Sequence, residues 1–188
     1  MAKAVVNNLP YNADAEKAVL GSAFLSKDAL FNVLSSLDED DFYLGKHQII
    51  YRALHNLMER KIAVDVLTVT EELINLKELE NIGGVPYLQE CSDSMVALSN
   101  LEFYISIVNN QSVLRSMLIA IREIDKEYLE TEIADINNFL LESEEKFKRS
   151  AEKRKISSFK TAEEVAAKVK LEIDNMKASE DNEVTGLT

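Results

Sequence analysis

The chain has 188 residues, with 21 Lys and Arg against 33 Asp and Glu, so its formal net charge is −12. Five glycines and two prolines are too few for a protein rich in tight turns or glycine phosphate loops, and we expect an all-α fold. The acidic balance argues against a surface built to bind nucleic-acid phosphates, and one cysteine excludes an intrachain disulfide or a multi-cysteine metal site.

Residues 1–98 have the pattern of a globular helical bundle, with apolar side chains at helical spacing. Asn12 is expected to cap a first helix that carries Glu16 in its acidic opening turn. A second, short helix is predicted over residues 26–34. A third is predicted over residues 46–60, with a buried face made of Ile49, Ile50, Ala53, Leu54, Leu57 and Met58.

The later part of the bundle is marked by helix start and stop signals. Thr68 and Glu71 have the spacing of a capping box, which predicts a helix that ends near Leu76. Gly83-Gly84 interrupts the helical pattern, and Pro86 suits the first turn of the helix that follows.

Residues 99–152 predict an antiparallel helical hairpin that serves oligomerisation. A second capping box, Ser99 to Glu102, opens a helix that runs to Glu130, and a second long helix follows a short turn. Two helices cannot bury this much apolar surface in each other, so we expect another subunit to cover part of it. The positions predicted to pack in the hairpin or between subunits are Leu114, Ile121, Ile136, Leu140 and Phe147.

Residues 153–188 predict a linker that contains an amphipathic helix over residues 161–178. A helix set apart by a linker cannot bury its own apolar face, which favours docking on another molecule over ordinary packing within the chain. The predicted docking face consists of Val165, Val169, Ile173 and Met176.

Residue types that carry chemistry are few, and we predict no catalytic, cofactor-binding or metal-binding residue. His47 and His55 lie about 12 Å apart on one helix, too far to share a metal, and are expected to be partly exposed. Cys91 is expected in the core. The acidic turn 38–41 lacks the glycine and bidentate glutamate of a calcium loop. The basic cluster 146–155 is either a DNA-contacting strip or a solvated end of the hairpin.

Several segments, taken in order along the chain, resemble the N-terminal region of the DnaB-type replicative DNA helicases of bacteria. The match extends over nearly the whole chain. The segments that carry it are Leu9-Pro-Tyr-Asn-Ala-Asp-Ala-Glu-Lys-Ala-Val-Leu-Gly21, Asp41-Phe-Tyr43, His47-Gln-Ile-Ile-Tyr51, Val64-Asp-Val-Leu-Thr-Val-Thr70, Gly83-Gly-Val-Pro-Tyr-Leu88, Asn100 to Val108, Ser112-Val-Leu-Arg115 and Val184-Thr-Gly-Leu-Thr188.

The resemblance implies that this segment belongs to the N-terminal collar of a ring-shaped helicase. Members of this family form hexameric rings that encircle one DNA strand and unwind the duplex 5′ to 3′ with ATP and Mg²⁺. Their N-terminal hairpins pair into dimers that build the ring, and the collar receives the helicase-binding domain of primase and, in some systems, a loader. The positions here that match primase contacts in the family are Tyr87, Leu118 and Ile124.

The resemblance also implies that ATP hydrolysis belongs to another domain of the protein. The linker helix docks on the ATPase domain of the neighbouring subunit, and the ATPase domain lies beyond Thr188. This segment is therefore expected to hold no cofactor, to contact DNA weakly or indirectly, and to be no enzyme itself, since it lacks Gly-x-x-x-x-Gly-Lys-Ser/Thr.

The sequence also allows two other hypotheses about function. One is a stand-alone helical adaptor that binds helicase or primase, although the segment 184–188 favours a part of the helicase. The other is a small hydrolase that uses Asp38 to Asp41. The N-terminal residues lack the apolar run of a secretion signal and no stretch is long enough for a membrane span, so a cytoplasmic, bacterial location is expected.

Overall fold

The computed structural model describes residues 9–94, 97–130, 133 and 135–150. Within these residues the regular elements are helices and the chain forms no β-strand, which confirms the all-α prediction. No helix in these ranges has both the length and the apolar character needed to cross a membrane. The predicted linker 153–188, its helix 161–178 and the docking face Val165, Val169, Ile173 and Met176 lie outside the described residues.

The bundle and the hairpin together contain eight described α-helices and two short 3₁₀ turns. The 3₁₀ turns are Glu39–Asp41 and Leu98–Asn100. The helices are α1 (Ala13–Ser22), α2 (Lys27–Ser36), α3 (Gly45–Glu59), α4 (Val66–Asn75), α5 (Leu79–Ile82), α6 (Gly84–Ser94), α7 (Leu101–Glu130) and α8 (136–150).

Side chains cap the helix starts of α1 and α4. The side-chain oxygen Oδ1 of Asn12 accepts a hydrogen bond of 3.0 Å from the Ala15 amide, as the sequence predicts. The predicted box that starts at Thr68 is wrong, because Asp65 is the cap. Asp65 accepts from the Thr68 amide at 2.7 Å, and the Asp65 amide donates to the Thr68 hydroxyl at 2.9 Å. Thr68 therefore closes a box that begins three residues earlier.

The start of α7 also differs from the prediction. Ser99 lies inside the 3₁₀ turn that precedes α7, so the helix begins at Leu101 and Ser99 is not its N-cap residue. The first turns of α7 belong to the core of the bundle, where Leu101, Ile105 and Val108 are buried. The helix that starts the hairpin is thus built directly into the bundle.

Helix α1 lies at the centre of the bundle and packs against both α6 and α7. Gly21 marks the closest approach of α1 to α6, since a Cβ atom there would lie 2.0 Å from the Cys91 carbonyl oxygen. Cys91 is fully buried, and burial raises the pKa of its thiol to about 11. This confirms Cys91 as a core residue.

Helix α3 buries most of the face that its apolar pattern predicts. Ile49 is half-buried and Ile50, Ala53, Leu54 and Leu57 are buried. The prediction is wrong at Met58, which is 38% exposed. Met58 lies one position past Leu57, about 100° further round the helix, and so falls on the edge of the buried face.

The chain reverses between α7 and α8, and the two helices run antiparallel. The Ser150 hydroxyl donates to the Ser116 carbonyl at 3.2 Å, and the Lys146 ammonium pairs with Glu127 at 2.5 Å. As residue numbers rise along α8 their partners fall along α7, which is the geometry of a helical hairpin.

We predict that replacing Gly21 by Ala lowers the free energy of unfolding by at least about 2 kcal/mol. The new methyl group would meet backbone atoms of Cys91, which cannot move aside as a flexible side chain can. Urea unfolding followed by circular dichroism measures the change.

Gly45→Ala is the matched control, because a Cβ atom there has no neighbour within 4 Å. This variant should unfold as the wild type does, or be more stable by up to about 1 kcal/mol. Equal losses in the two variants would contradict the close approach of α1 to α6.

Candidate functional site

The Glu16 side chain lies in the interior of the bundle, although its place in the first turn of α1 suggests a solvated residue. It is 1% exposed. Its carboxylate accepts hydrogen bonds from the Tyr43 amide at 2.9 Å and the Leu44 amide at 3.4 Å. These two amides lie between the 3₁₀ turn and α3, where no helical hydrogen bond provides an acceptor for them. Glu16 provides that acceptor.

His47 continues the polar network from Glu16. The sequence predicts a partly exposed His47, and this is wrong, because the side chain is fully buried on α3. Nδ1 lies 2.7 Å from the Glu16 Oε2, and Nε2 lies 2.6 Å from the Tyr87 hydroxyl. His55, two turns further along α3, is exposed as expected.

The network fixes one proton of His47. A carboxylate only accepts, so Nδ1 carries a proton and donates it to Glu16, while Nε2 is hydrogen-bonded to the Tyr87 hydroxyl. Burial raises the pKa of the Tyr87 phenol. The hydroxyl of Tyr87 is thus used inside the protein.

Tyr87 is half-buried, and the ammonium groups of two lysines lie near its ring. The Lys46 ammonium is 3.7 Å from the ring centroid and the Lys17 ammonium is 5.7 Å away. Lys17 is also paired with Glu90 on α6, and this hydrogen bond raises the pKa of Lys17 and lowers that of Glu90. Tyr87, one of the positions that match primase contacts, therefore has its hydroxyl bonded inside the protein and a lysine over its ring.

A second group of buried polar residues fastens α7 to the bundle. Asp41 accepts from the Ser112 hydroxyl at 2.6 Å, and its other carboxylate oxygen accepts from the Asp38 amide at 2.8 Å. The Arg115 guanidinium donates to the Pro10 carbonyl at 3.1 Å and to the Asp41 carbonyl at 2.5 Å. Burial lowers the pKa of Arg115, and the nearby Glu16 and Asp41 carboxylates oppose this effect.

The two groups meet at the segment between the 3₁₀ turn and α3. The Tyr43 amide binds Glu16, while the Tyr43 ring stacks on Tyr11 with centroids 4.4 Å apart and lies 5.6 Å from Arg115. Buried polar contacts therefore run from Tyr87 on α6 through α1 and α3 to Arg115 on α7.

The acidic turn that includes Asp41 is a structural element in this fold. Asp41 is engaged with Ser112, and no cluster of metal-ligating side chains occurs among the residues with described positions. The hypothesis of a hydrolase that uses Asp38 to Asp41 therefore gains no support from the described residues.

The hairpin exposes the apolar positions that the sequence assigns to packing and oligomerisation. Leu114, Ile121, Ile136, Leu140 and Phe147 are 42–66% exposed in the single chain. Of the other two positions matched to primase contacts, Leu118 is exposed and Ile124 is half-buried. The full set of exposed large apolar side chains on α7 and α8 is Phe103, Leu114, Met117, Leu118, Ile119, Ile121, Tyr128, Leu129, Ile136, Leu140, Leu141 and Phe147.

An open cleft of about 330 Å³ lies between the two helices of the hairpin. Its lining is formed by Ile121, Ile124, Asp125, Tyr128, Phe139 and Phe147. The structure therefore brings Ile121, Ile124 and Phe147 together in the hairpin, whereas Tyr87 lies on α6.

Sequence reasoning missed the buried roles of Glu16, Asp41 and Arg115. A signal for Glu16 was present, because it lies three and four residues before Val19 and Leu20 and so shares their buried face of α1. All three residues, and His47, also fall within the segments that resemble the helicase family.

The comparisons with known proteins agree on one family. The model of the DnaB-like helicase N-terminal domain matches residues 8–110. The chain is 36% identical over 156 residues to the replicative DNA helicase DnaC of Bacillus subtilis, covering 83% of this chain and 34% of that protein. It is 34% identical over 178 residues to the replicative DNA helicase DnaB of Geobacillus stearothermophilus, covering 95% of this chain and 39% of that protein.

Solved structures give the same result. The N-terminal domain of DnaB helicase from Mycobacterium tuberculosis superposes with a TM-score of 0.71 at 33% identity, over 76% of this chain and 99% of that one. A DnaB-like replicative helicase studied with primase superposes with a TM-score of 0.57 at 23% identity, over 70% of this chain and 31% of that one. The second likeness concerns the fold alone.

We predict that Glu16→Ala lowers the free energy of unfolding by about 2–5 kcal/mol, since it leaves the Tyr43 amide and His47 buried without their acceptor. The exposed Glu71 on α4 provides the control, and Glu71→Ala should change stability by less than about 0.5 kcal/mol. Denaturant unfolding of both variants decides the matter. Similar small losses in the two would contradict the structural role of Glu16.

Proposed function

Because the chain belongs to the DnaB-like helicase N-terminal domain family, we propose that it is the assembly and docking part of a bacterial replicative DNA helicase. The observation that carries this proposal is the set of exposed apolar side chains on the hairpin. Large apolar side chains that are exposed in such number on two neighbouring helices are typical of protein interfaces.

We propose that a second copy of the chain covers the hairpin. The exposed residues lie on both helices, including Leu114 and Ile121 on α7 and Ile136 and Leu140 on α8. An antiparallel hairpin can pair with an identical hairpin about a two-fold axis, which gives each chain the same contacts. Such dimers then build the hexameric ring.

The docking partner in this proposal is the helicase-binding domain of primase. Tyr87 offers its ring to the partner, and Leu118 and Ile124 offer apolar contacts on the hairpin. The choice of partner follows from the family to which the chain belongs, whose resemblance implies a collar that receives this domain. Since His47 binds the Tyr87 hydroxyl and the Lys46 ammonium lies over the ring, Tyr87 contributes through the part of its ring that stays exposed.

The remaining parts of the proposal concern the whole helicase. The chain spans about a third of the length of the curated relatives named above. We assign duplex unwinding, ATP and Mg²⁺ to the remainder of such a protein, together with any direct DNA contact and the surface that receives the linker helix. A loader is a further candidate partner, and the bacterial cytoplasm is the proposed location.

Leu140→Asp tests the pairing of hairpins. Leu140 is 53% exposed, so an aspartate there costs little in the single chain, but it would place an unpaired charge in a buried interface. We expect the wild type to self-associate at micromolar concentration and Leu140→Asp to sediment as a monomer in analytical ultracentrifugation.

Asn137→Asp is the control for hairpin pairing, because it adds the same charge at an exposed position on α8. It should keep the oligomeric state of the wild type. A wild-type chain that stays monomeric at high micromolar concentration would contradict the proposed pairing.

Two substitutions of Tyr87 test the docking site. Tyr87→Ala removes the ring and should weaken binding to the helicase-binding domain of primase by about tenfold or more, without a change in oligomeric state. Tyr87→Phe keeps the ring and should bind within about twofold of wild type, while Nε2 of His47 loses its hydrogen-bond partner and stability falls by about 1–3 kcal/mol.

Calorimetric titration and urea unfolding of the two Tyr87 variants separate these effects. If Tyr87→Phe remains folded yet loses binding as completely as Tyr87→Ala, then the hydroxyl contacts the partner and the proposed use of the ring is wrong.

A further inference from the structure

The Lys46 side chain has an unusual position for a surface cation. It is half-buried, and its ammonium lies 3.7 Å from the centroid of the Tyr87 ring. Lys46 forms no salt bridge with any residue in the described ranges, whereas the neighbouring Lys17 is paired with Glu90. The pKa of Glu90 is lowered mainly by its hydrogen bond to Lys17, and the charge of Lys46 adds to this effect.

The ring contact and the partial burial prepare Lys46 to bind an anion. The ammonium has three donors, and a cation–π contact uses none of them fully. The ring contact holds the ammonium in place in the free protein, so a carboxylate that binds there orders the lysine side chain little further. A hydrogen bond between two charged groups is among the stronger polar contacts available to an interface.

The exposed residues that precede Tyr87 in the sequence favour a protein partner with an apolar group beside an acidic one. Val85 and Pro86, at the start of α6, are both exposed. The chain as a whole has a net charge of −12 and repels an acidic partner elsewhere. Lys46 therefore favours one register of an acidic partner, since other registers place like charges together.

We propose that Lys46 is a specificity-determining residue, whose ammonium binds a carboxylate of the protein that docks on the Tyr87 ring. This inference rests on the proposed docking function, and it adds the charge that the partner must present. The Tyr87 ring contributes apolar contact, and Lys46 discriminates between partners that present a carboxylate and partners that do not.

The test compares Lys46→Met and Lys46→Glu with the wild-type chain. Methionine keeps an apolar stem over the Tyr87 ring and removes the charge, whereas glutamate reverses the charge. The matched controls are Lys27→Met and Lys27→Glu, which change an exposed lysine on α2 in the same way. Urea unfolding verifies that each variant is folded before binding is measured.

The probe is the helicase-binding domain of primase from the same source, titrated calorimetrically at low salt and at about 0.3 M salt. We expect Lys46→Met to weaken binding about tenfold at low salt, and Lys46→Glu to weaken it further. The affinity of Lys46→Met should also respond less to salt than that of the wild type. Both Lys27 variants should bind within about twofold of wild type.

Three outcomes would overturn the inference. If Lys46→Met binds as the wild type does while Tyr87→Ala does not, the carboxylate contact is wrong and the docking function stands. If Lys46→Met and Tyr87→Ala both bind as the wild type does, the docking function proposed for this surface fails as well. If a single-stranded oligonucleotide binds the wild type and not Lys46→Met, the ammonium serves a phosphate instead.

Discussion

The buried carboxylate of Glu16 is the constraint on which the rest of this structure depends. A carboxylate without water must receive hydrogen bonds, and here the donors come from two backbone amides and from His47. Those bonds fix the segment that leads into α3, orient the His47 ring, and through His47 hold the Tyr87 hydroxyl. A single charged side chain thus sets the position of the residue that is the best candidate for partner docking.

The same region determines how the hairpin leaves the bundle. Arg115 and Ser112 reach from α7 to the 3₁₀ turn at Asp41, and the Pro10 carbonyl completes the attachment. Beyond this junction α7 packs against α8, and most of its large apolar side chains are exposed in the single chain. The division between a well-packed bundle and an exposed hairpin fits a protein whose hairpin is completed by another subunit.

The sequence was sufficient for the helices, because their periodicity and caps are local properties. Asn12 and the α3 face were predicted in this way, and Met58 failed only at the edge of that face. Thr68 was misassigned because Asp65, the residue that caps, lies one turn earlier and both types cap well. Glu16 and His47 were harder, since a buried polar residue is stable only if distant partners exist, and those partners are separated by 31 and 40 residues. Leu140 and Ile136 are exposed in the single chain, and the second chain that we propose to cover them is not contained in a pattern within one chain.

Amide hydrogen exchange at Tyr43 measures the central claim most directly. Tyr43 lies outside the helices, and its amide has Glu16 as its hydrogen-bond acceptor. NMR exchange rates should show this amide to be as protected as those in the middle of α3, such as Leu54, because opening it requires disruption of the buried network. Exchange of Tyr43 at the rate of an unprotected loop, while Leu54 remains protected, would contradict the role assigned to Glu16.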